Sequence, residues 1–298
     1  MKWIYKAQSR VEDFMITMTG KSIRKWWALF TLPTFVAFII GFVAPFLIGV
    51  WLSFCDFTTI TDATFVGASN YQHIWDDGTF LHSLLFTVAF TIVTTIIINI
   101  LAFAVAYMFT KAMKGATIFR SVFFMPNLIG GIILGWIWQI IINGILSNWG
   151  KSLTYSAKYG FWGLVILVCW QQIGYMMVVY IAGLQSLPTD VLEAAQVDGA
   201  SPSQTMFKVI IPLMMPSITV CTFLTVTNGF KLYDQNLALT VGNPAHQSEM
   251  LALNIFNTFY GRVGFEGVGQ AKAVIFFIIV AVIALIQNRL TTSKEVLA

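Results

Sequence analysis

Charge is what this sequence has least of. Only 10% of its 298 residues are Asp, Glu, Lys or Arg, against 57% hydrophobic. A soluble domain carries roughly 25% charged residues. Too few charges remain to clothe a water-facing surface, so lipid is the solvent for much of the chain. Basic runs are missing, and with them the case for a nucleic-acid partner. Three Cys (Cys55, Cys169, Cys221) match no metal or redox spacing. Two of them lie in apolar runs, where Cys serves as a small core residue. Three His (His73, His82, His246) stand far apart in or near polar connections and are read as solvated. No triad or ligand cluster is visible, so neither a catalytic nor a metal-binding residue is expected. Gly20-Lys21-Ser22 has the end of a phosphate loop, but the Gly required five positions earlier is Met15, and no strand precedes it. The chain is therefore expected to hold no cofactor and to hydrolyse no ATP alone.

What is present is long apolar runs. A bilayer core takes about 20 residues of helix. Six segments qualify, near 27–54, 81–109, 121–143, 161–184, 216–239 and 271–285. The first contains Pro45 well inside, which predicts a kink there. The sixth is the shortest and could begin near Val268. The run 27–54 is too long for a cleaved signal and reads as a retained helix. Residues 1–26 form a separate N-terminal segment, residues 27–290 the membrane domain, and residues 291–298 a tail. Trp3, Ile4, Val11, Phe14, Met15 and Met18 alternate with basic residues, which suits an amphipathic helix on the anionic inner leaflet.

Orientation follows from Lys and Arg near the span ends. Twelve of the seventeen fall on the side shared by both termini: Lys2, Lys6, Arg10, Lys21, Arg24, Lys25, Lys111, Lys114, Arg120, Lys208, Arg289 and Lys294. Lys151, Lys158, Lys231, Arg262 and Lys272 fall on the other. Both termini are thus placed in the cytoplasm.

The cytoplasmic connection 186–214 between spans four and five is unusually rich in signals. Thr189 or Asp190 can cap a short helix over 191–197. Gly199 can stop it in the left-handed region. Ser201 can cap a second helix, with Pro202 in its first turn. A mere connection is usually shorter. A folded elbow of this kind is suited to docking a partner.

Glu193-Ala194-Ala195, then Gly199, then Val209-Ile210-Ile211-Pro212 resembles the "EAA" loop of permeases from binding-protein-dependent ABC importers. Val209 and Ile211 stand where that pattern has Ile and Leu, and both remain apolar. Asp198-Gly199-Ala200 matches the common extension. Phe65-Val66-Gly67 with Asn70-Tyr71, and Leu232-Tyr233-Asp234-Gln235, are similar to the maltose and oligosaccharide branch. The resemblance implies an all-α integral membrane protein with six transmembrane helices and the type I ABC importer permease fold, in a bacterial or archaeal plasma membrane. It implies four kinds of partner: a homologous second permease, a cytoplasmic ATPase dimer that uses ATP-Mg, an external solute-binding protein, and a sugar cargo. Glu193, Ala194, Ala195, Asp198, Gly199, Ala200 and Pro212 would then couple to the ATPase, small Ala side chains letting the helix seat closely.

Polar groups at membrane depth are costly and mark cavities or interhelical contacts. Trp170, Gln171, Gln172 and Tyr175 in span four, and Asn228, Tyr233 and Asp234 in span five, are the candidates for the substrate path. Amides suit sugar hydroxyls and aromatic rings suit sugar faces. Interhelical hydrogen bonding is the plainer alternative, as is an interfacial Lys231–Asp234 ion pair. Gly131 and Gly135 give a GxxxG spacing that favours close helix packing. An ion-coupled transporter would want buried acids, and spans two, three and four contain none. A membrane-embedded enzyme would want clustered ionisable residues. Glycerol phosphate or a peptide stays open as an alternative cargo.

Overall fold

The computed structural model describes residues 26–76, 78–110 and 115–292. The amphipathic segment expected within residues 1–26 lies almost wholly outside them. Four helices are long and apolar enough to cross a bilayer: α1 (Trp26–Leu52), α3 (Thr79–Thr110), α6 (Ala157–Gln185) and α12 (Glu266–Thr292). Two bent pairs supply the other spans. Ala116–Leu128 (α4) and Gly131–Ser147 (α5) meet at 99°, and Pro202–Leu213 (α8) and Met215–Phe230 (α9) at 68°. Shorter helices are α2 (Ser69–Asp76), α7 (Thr189–Val197), α10 (Asp234–Leu239) and α11 (Leu251–Gly261).

The disturbance expected at Pro45 takes the form of a π turn over Ile39–Val43, with Ala44 N–H reaching Ile39 O. Proline lacks the N–H and crowds the carbonyl four residues back, so the widened turn falls one turn before it. After α1 the chain forms a two-stranded antiparallel ribbon, β1 (Cys55–Asp56) with β2 (Thr64–Phe65), registered Cys55 opposite Phe65. The Phe65-to-Tyr71 stretch then has a structural task. Asn70 Nδ2 donates to the carbonyls of Ser53 (3.0 Å) and Cys55 (2.8 Å), and the Tyr71 hydroxyl meets Ser53 Oγ at 2.6 Å. Gly67, at φ +64°, makes the turn between them.

The centre of the bundle is α3 against α6, with α9 across them. Phe90, Ile98, Leu164, Leu167, Met176, Tyr180 and Cys221 pack there, all buried. One polar chain crosses this core: the Tyr180 hydroxyl donates to Asn99 Oδ1 (2.6 Å), and Asn99 Nδ2 donates to Thr225 Oγ1 (3.0 Å). Three helices are thereby keyed in register, because a group left unpaired there would carry its full desolvation cost. All three Cys are buried thiols without a disulfide.

Three sequence expectations need correction. The third span is not one helix over 121–143. It breaks at Ile129 and Gly130, both extended, with α4 and α5 nearly perpendicular. The fifth does not continue to residue 239, for α9 ends at Phe230. Lys231 N–H closes on Thr227 O and Leu232 N–H on Gly229 O, and α10 restarts at Asp234. An acid in the first turn of a helix is favourable, which helps fix that restart. The sixth span begins earlier, at Glu266, because Gly267 and Gly269 let it approach its neighbours. A Cβ on Gly267 would lie 2.3 Å from Cys55 O, and one on Gly269 2.8 Å from Phe259 Cα.

At one end of α12 lies a buried polar cluster that no motif announced. Lys272 is fully buried and donates to Thr258 Oγ1 (2.9 Å) and to Asn254. Asn254 Nδ2 donates to Glu249 Oε2 (3.1 Å) and Thr79 Oγ1 (3.0 Å). Asn257 also donates to Glu249, and His246, half-exposed, pairs with it at 3.2 Å.

Candidate functional site

The two helix breaks meet. A Cβ on Gly131, the first residue of α5, would lie 2.7 Å from Asp234 Cβ, at the first residue of α10. One turn on, a Cβ on Gly135 would lie 2.7 Å from Ala238 Cβ. The GxxxG spacing is therefore a packing face, and what it receives is the short helix α10. Between the breaks stands Gln171 of α6, buried. Gln235 Nε2 donates to Gln171 Oε1 at 2.8 Å, and Gln171 Nε2 reaches the Ile129 carbonyl at 3.4 Å. That carbonyl sits at the interruption, where no helix bond reaches it. Irregular backbone at membrane depth is tolerated only where protein or a cavity surrounds it. Interrupted helices of this type mark binding sites in other transport proteins.

The other candidates are distributed around this point. Asn228 Nδ2 reaches Gln172 Oε1 at 3.4 Å, a second amide pair joining α6 and α9. Trp170 points away from both pairs. It sits edge-on to Trp138, ring centres 5.5 Å apart, and lines a cavity of about 340 Å³ with Phe123 and Ile129. Tyr175 faces Phe124 at 6.4 Å. Tyr233 is half-buried in the second break, against Phe256 (5.1 Å), and Asp234 is exposed. No ion pair joins Lys231 to Asp234 among the described residues. The structure thus brings Gln171 and Gln172 to α10 and α9, and sets Trp170 and Tyr175 on other surfaces. Gln235, which completes the first amide pair, stands in the quoted Leu-Tyr-Asp-Gln stretch but had not been singled out.

At the other end of α6, the elbow forms as a helix, a turn and a second helix. Pro188, not Thr189 or Asp190, is the N-cap of α7. Its fixed φ of −61° with an extended ψ of 123° places Thr189 already inside the first turn. The C-terminal stop is a Schellman closure. Ala200 N–H bonds Ala195 O (3.0 Å), Gly199 N–H bonds Gln196 O (3.1 Å), and Gly199 sits at φ +75° with open space around its Cα. Ser201 and Gln204 then form a reciprocal capping box: Ser201 N–H donates to Gln204 Oε1 (2.8 Å) and Gln204 N–H to Ser201 Oγ (3.3 Å).

Leu192 faces the core, while Glu193, Ala194, Asp198 and Val197 face outward. Val197 is 87% exposed, and so apolar a tip on a polar elbow is a contact waiting for a surface. Pro212 closes α8, and the bend follows at Met214, which is buried. The elbow is clamped to the bundle where Gly183 admits α9: a Cβ there would lie 2.1 Å from Ser217 Oγ.

Residues 114–294 match the family described as "Binding-protein-dependent transport system inner membrane component". The chain belongs to that family. It is a permease component of a binding-protein-dependent ABC importer, set in the inner membrane. It is 42% identical, over 91% of its length and 95% of the relative's, to the probable starch degradation products transport system permease protein AmyD of Thermoanaerobacterium thermosulfurigenes. It is 28% identical, over 93% and 99%, to the multiple sugar-binding transport system permease protein MsmF of Streptococcus mutans. Its fold resembles a chain of a bacterial ABC transporter that imports the acidic polysaccharide alginate, with a TM-score of 0.76, 17% identity, and 93% and 99% coverage. The type I permease architecture expected from the elbow is the one observed.

Proposed function

We propose that this permease passes a neutral oligosaccharide between its two broken helices and takes the energy for doing so through the α7 elbow. The observation that carries this is the convergence of the breaks at 129–130 and 231–233 on the part-buried Gln171–Gln235 pair. Carboxamides both donate and accept, as sugar hydroxyls do, so a sugar can replace each partner one for one. The relatives named for starch degradation products and multiple sugars support the same cargo class. Lys231 in the second break is followed by Asp234, which offsets it, so the path offers no net cationic site for a phosphate.

Gln171, Gln172, Asn228 and Tyr233 would contact cargo, with Asp234 at the entrance. Trp170 and Tyr175 would support the wall from behind. A homologous second permease would close the path. A solute-binding protein would deliver cargo from outside, and both termini would lie in the cytoplasm, as the basic residues favour. An ATPase dimer binding ATP-Mg would seat Glu193, Ala194, Ala195, Asp198, Gly199 and Ala200 in a cleft, with Pro212 stiffening the return into α9. Its closure would move the elbow and bias the bundle between two states, which requires different contacts in each.

The test is ATP hydrolysis by the assembled complex in lipid, with its binding protein loaded with candidate oligosaccharides. Sugar-stimulated hydrolysis that Gly199→Asp abolishes is expected. A complex stimulated equally with the substitution, or stimulated only by an anionic cargo, overturns the reading.

A further inference from the structure

Next to the second break, three aromatic rings stand in file. Tyr233 meets Phe256 with ring centres 5.1 Å apart, and Phe256 meets Tyr260 at 4.9 Å. They line a cavity of about 330 Å³ that Gln270 of α12 also borders. Their exposure rises along the file: Tyr233 is half-buried, Phe256 39% and Tyr260 72% exposed. Gln270 has a fixed place, because it lies over Gly49 of α1, where a Cβ would come within 2.6 Å of its Nε2. The inner end of the file stands on the same short segment as the amide pair, Gln235 lying two residues beyond Tyr233.

We infer that Tyr233, Phe256 and Tyr260 form a saccharide-stacking subsite that holds one or two sugar rings of the oligosaccharide beside the Gln171–Gln235 pair. The inference rests on the sugar reading above. A cavity of this volume falls at the small end of ligand pockets, about 300–1,000 Å³, so it fits part of an oligosaccharide. The mix of groups selects the ligand. Two phenol hydroxyls and one carboxamide edge an aromatic wall, which is apolar surface with polar handles. The larger cavity of about 620 Å³ beside Phe103, Met108 and Phe207 also has two Tyr and one Asn in its lining, but the Tyr180 hydroxyl and the Asn99 amide are bonded to each other and to Thr225. The surface it leaves exposed is almost wholly apolar, as an acyl chain or an apolar helix would require. Aromatic rings graded from exposed to buried also give an elongated ligand successive surfaces on the way to the amides.

The experiment is oligosaccharide uptake into proteoliposomes carrying the complete transporter, for glucose oligomers of two to seven units. Phe256→Leu keeps the apolar bulk without the ring, and Phe256→Tyr keeps the ring. Assembly is checked by co-purification of all subunits. The Leu substitution is expected to lower uptake per assembled complex roughly two- to tenfold, most for the longer oligomers. The Tyr substitution, which keeps the ring, should retain more uptake than the Leu substitution, and Tyr260→Phe, which removes one hydroxyl and keeps the ring, should lower uptake less than Phe256→Leu. Uptake by Phe256→Leu equal to the unsubstituted protein shows that the cavity needs only bulk, as a lipid chain would, and overturns the subsite. Loss of assembly in both Phe256 variants makes the ring a packing element and overturns it as well. If the unsubstituted complex takes up no saccharide at all, the sugar reading itself fails, and the subsite with it.

Discussion

Lys272 donates to the Asn254 side-chain oxygen at 3.0 Å, and the amide nitrogen of the same Asn254 donates to Glu249. A buried cation and a buried anion are thus joined through one carboxamide rather than face to face. Each end has further partners, Thr258 for the ammonium and Asn257 and His246 for the carboxylate. Removing one charge from such an arrangement leaves the other buried and uncompensated, at a cost of about 3–5 kcal/mol. Lys272→Met should lower the thermal midpoint of the solubilised protein markedly. Adding Glu249→Gln should restore part of the loss, giving a non-additive cycle. An additive pair would mean that Asn254 does not transmit the interaction.

Gly199 presents the opposite case, a residue with no neighbours. Open space surrounds its Cα, so Gly199→Ala meets no clash. Its cost is confined to φ +75°, about 1–2 kcal/mol for a residue with a Cβ. The permease should keep its thermal midpoint within a few degrees while sugar-stimulated hydrolysis by the complex falls. A substitution that lowered both equally would place Gly199 in the fold and not at the docking surface.

The Gln171–Gln235 pair offers a double-mutant cycle. Gln171→Leu leaves both Gln235 and the Ile129 carbonyl without their partner, so it should destabilise by about 1–3 kcal/mol. Gln235→Leu frees only one acceptor of Gln171 and should cost less. Unfolding midpoints of the two singles and the double would measure the coupling, and a coupling near zero would remove the pair from the wall of the path.

Glycines along the helices divide sharply. A Cβ on Gly174 would lie 1.8 Å from Phe123 O, so Gly174→Ala must push α4 off α6 and should abolish stable expression. Gly41, in the π turn of α1, has nothing within 4 Å. Gly41→Ala should be neutral, or stabilising by up to about 1 kcal/mol. Yields of monodisperse protein from the two variants provide the comparison.

Asp62 supplies a pH test outside the membrane. Its carboxylate accepts from the backbone N–H groups of Thr58 (3.0 Å) and Thr59 (2.8 Å), which hold it below the usual value of 3.8. A depressed carboxylate contributes fully above its unfolded value and loses that contribution as pH falls through the depressed one. Amide protection at Thr58 and Thr59 should be level from pH 7 to pH 5 and decline only in stronger acid. Asp62→Asn should lack that decline. A decline already present at pH 5 would contradict the assignment.

The elbow was legible because its signals are local. Gly199 permits a left-handed φ, Ser201 caps through its hydroxyl and Pro202 fixes its own φ, and each stands where that chemistry suits. The first N-cap lies one or two residues before the expected Thr189 or Asp190 because Pro188 already holds the required extended backbone. The spans were legible as lengths of apolar chain and illegible as breaks. Hydropathy does not register that Pro126, Gly130 and Gly131 interrupt a run whose side chains, Asn127 and Gln139 apart, are mostly apolar. Nor does it show that the run after Phe230 folds back onto Gly131, which is a tertiary contact. The Glu249–Asn254–Lys272 cluster escaped for the same reason. Its members are spread over a loop and two helices, and in the sequence Lys272 counts only as one of the basic residues on the side opposite the termini.

At 129–130 and 232–233 the backbone N–H groups make no i to i−4 bond, so the chain there has little of that ladder to lose. Any widening between α5 and α10 can proceed by torsion at these few residues, with the Gln171 and Gln235 amides exchanging one partner for another. The wall of the proposed path would therefore be articulated rather than meltable. Its two leaves would swing as intact bodies, with the number of hydrogen bonds unchanged between a shut and a parted arrangement.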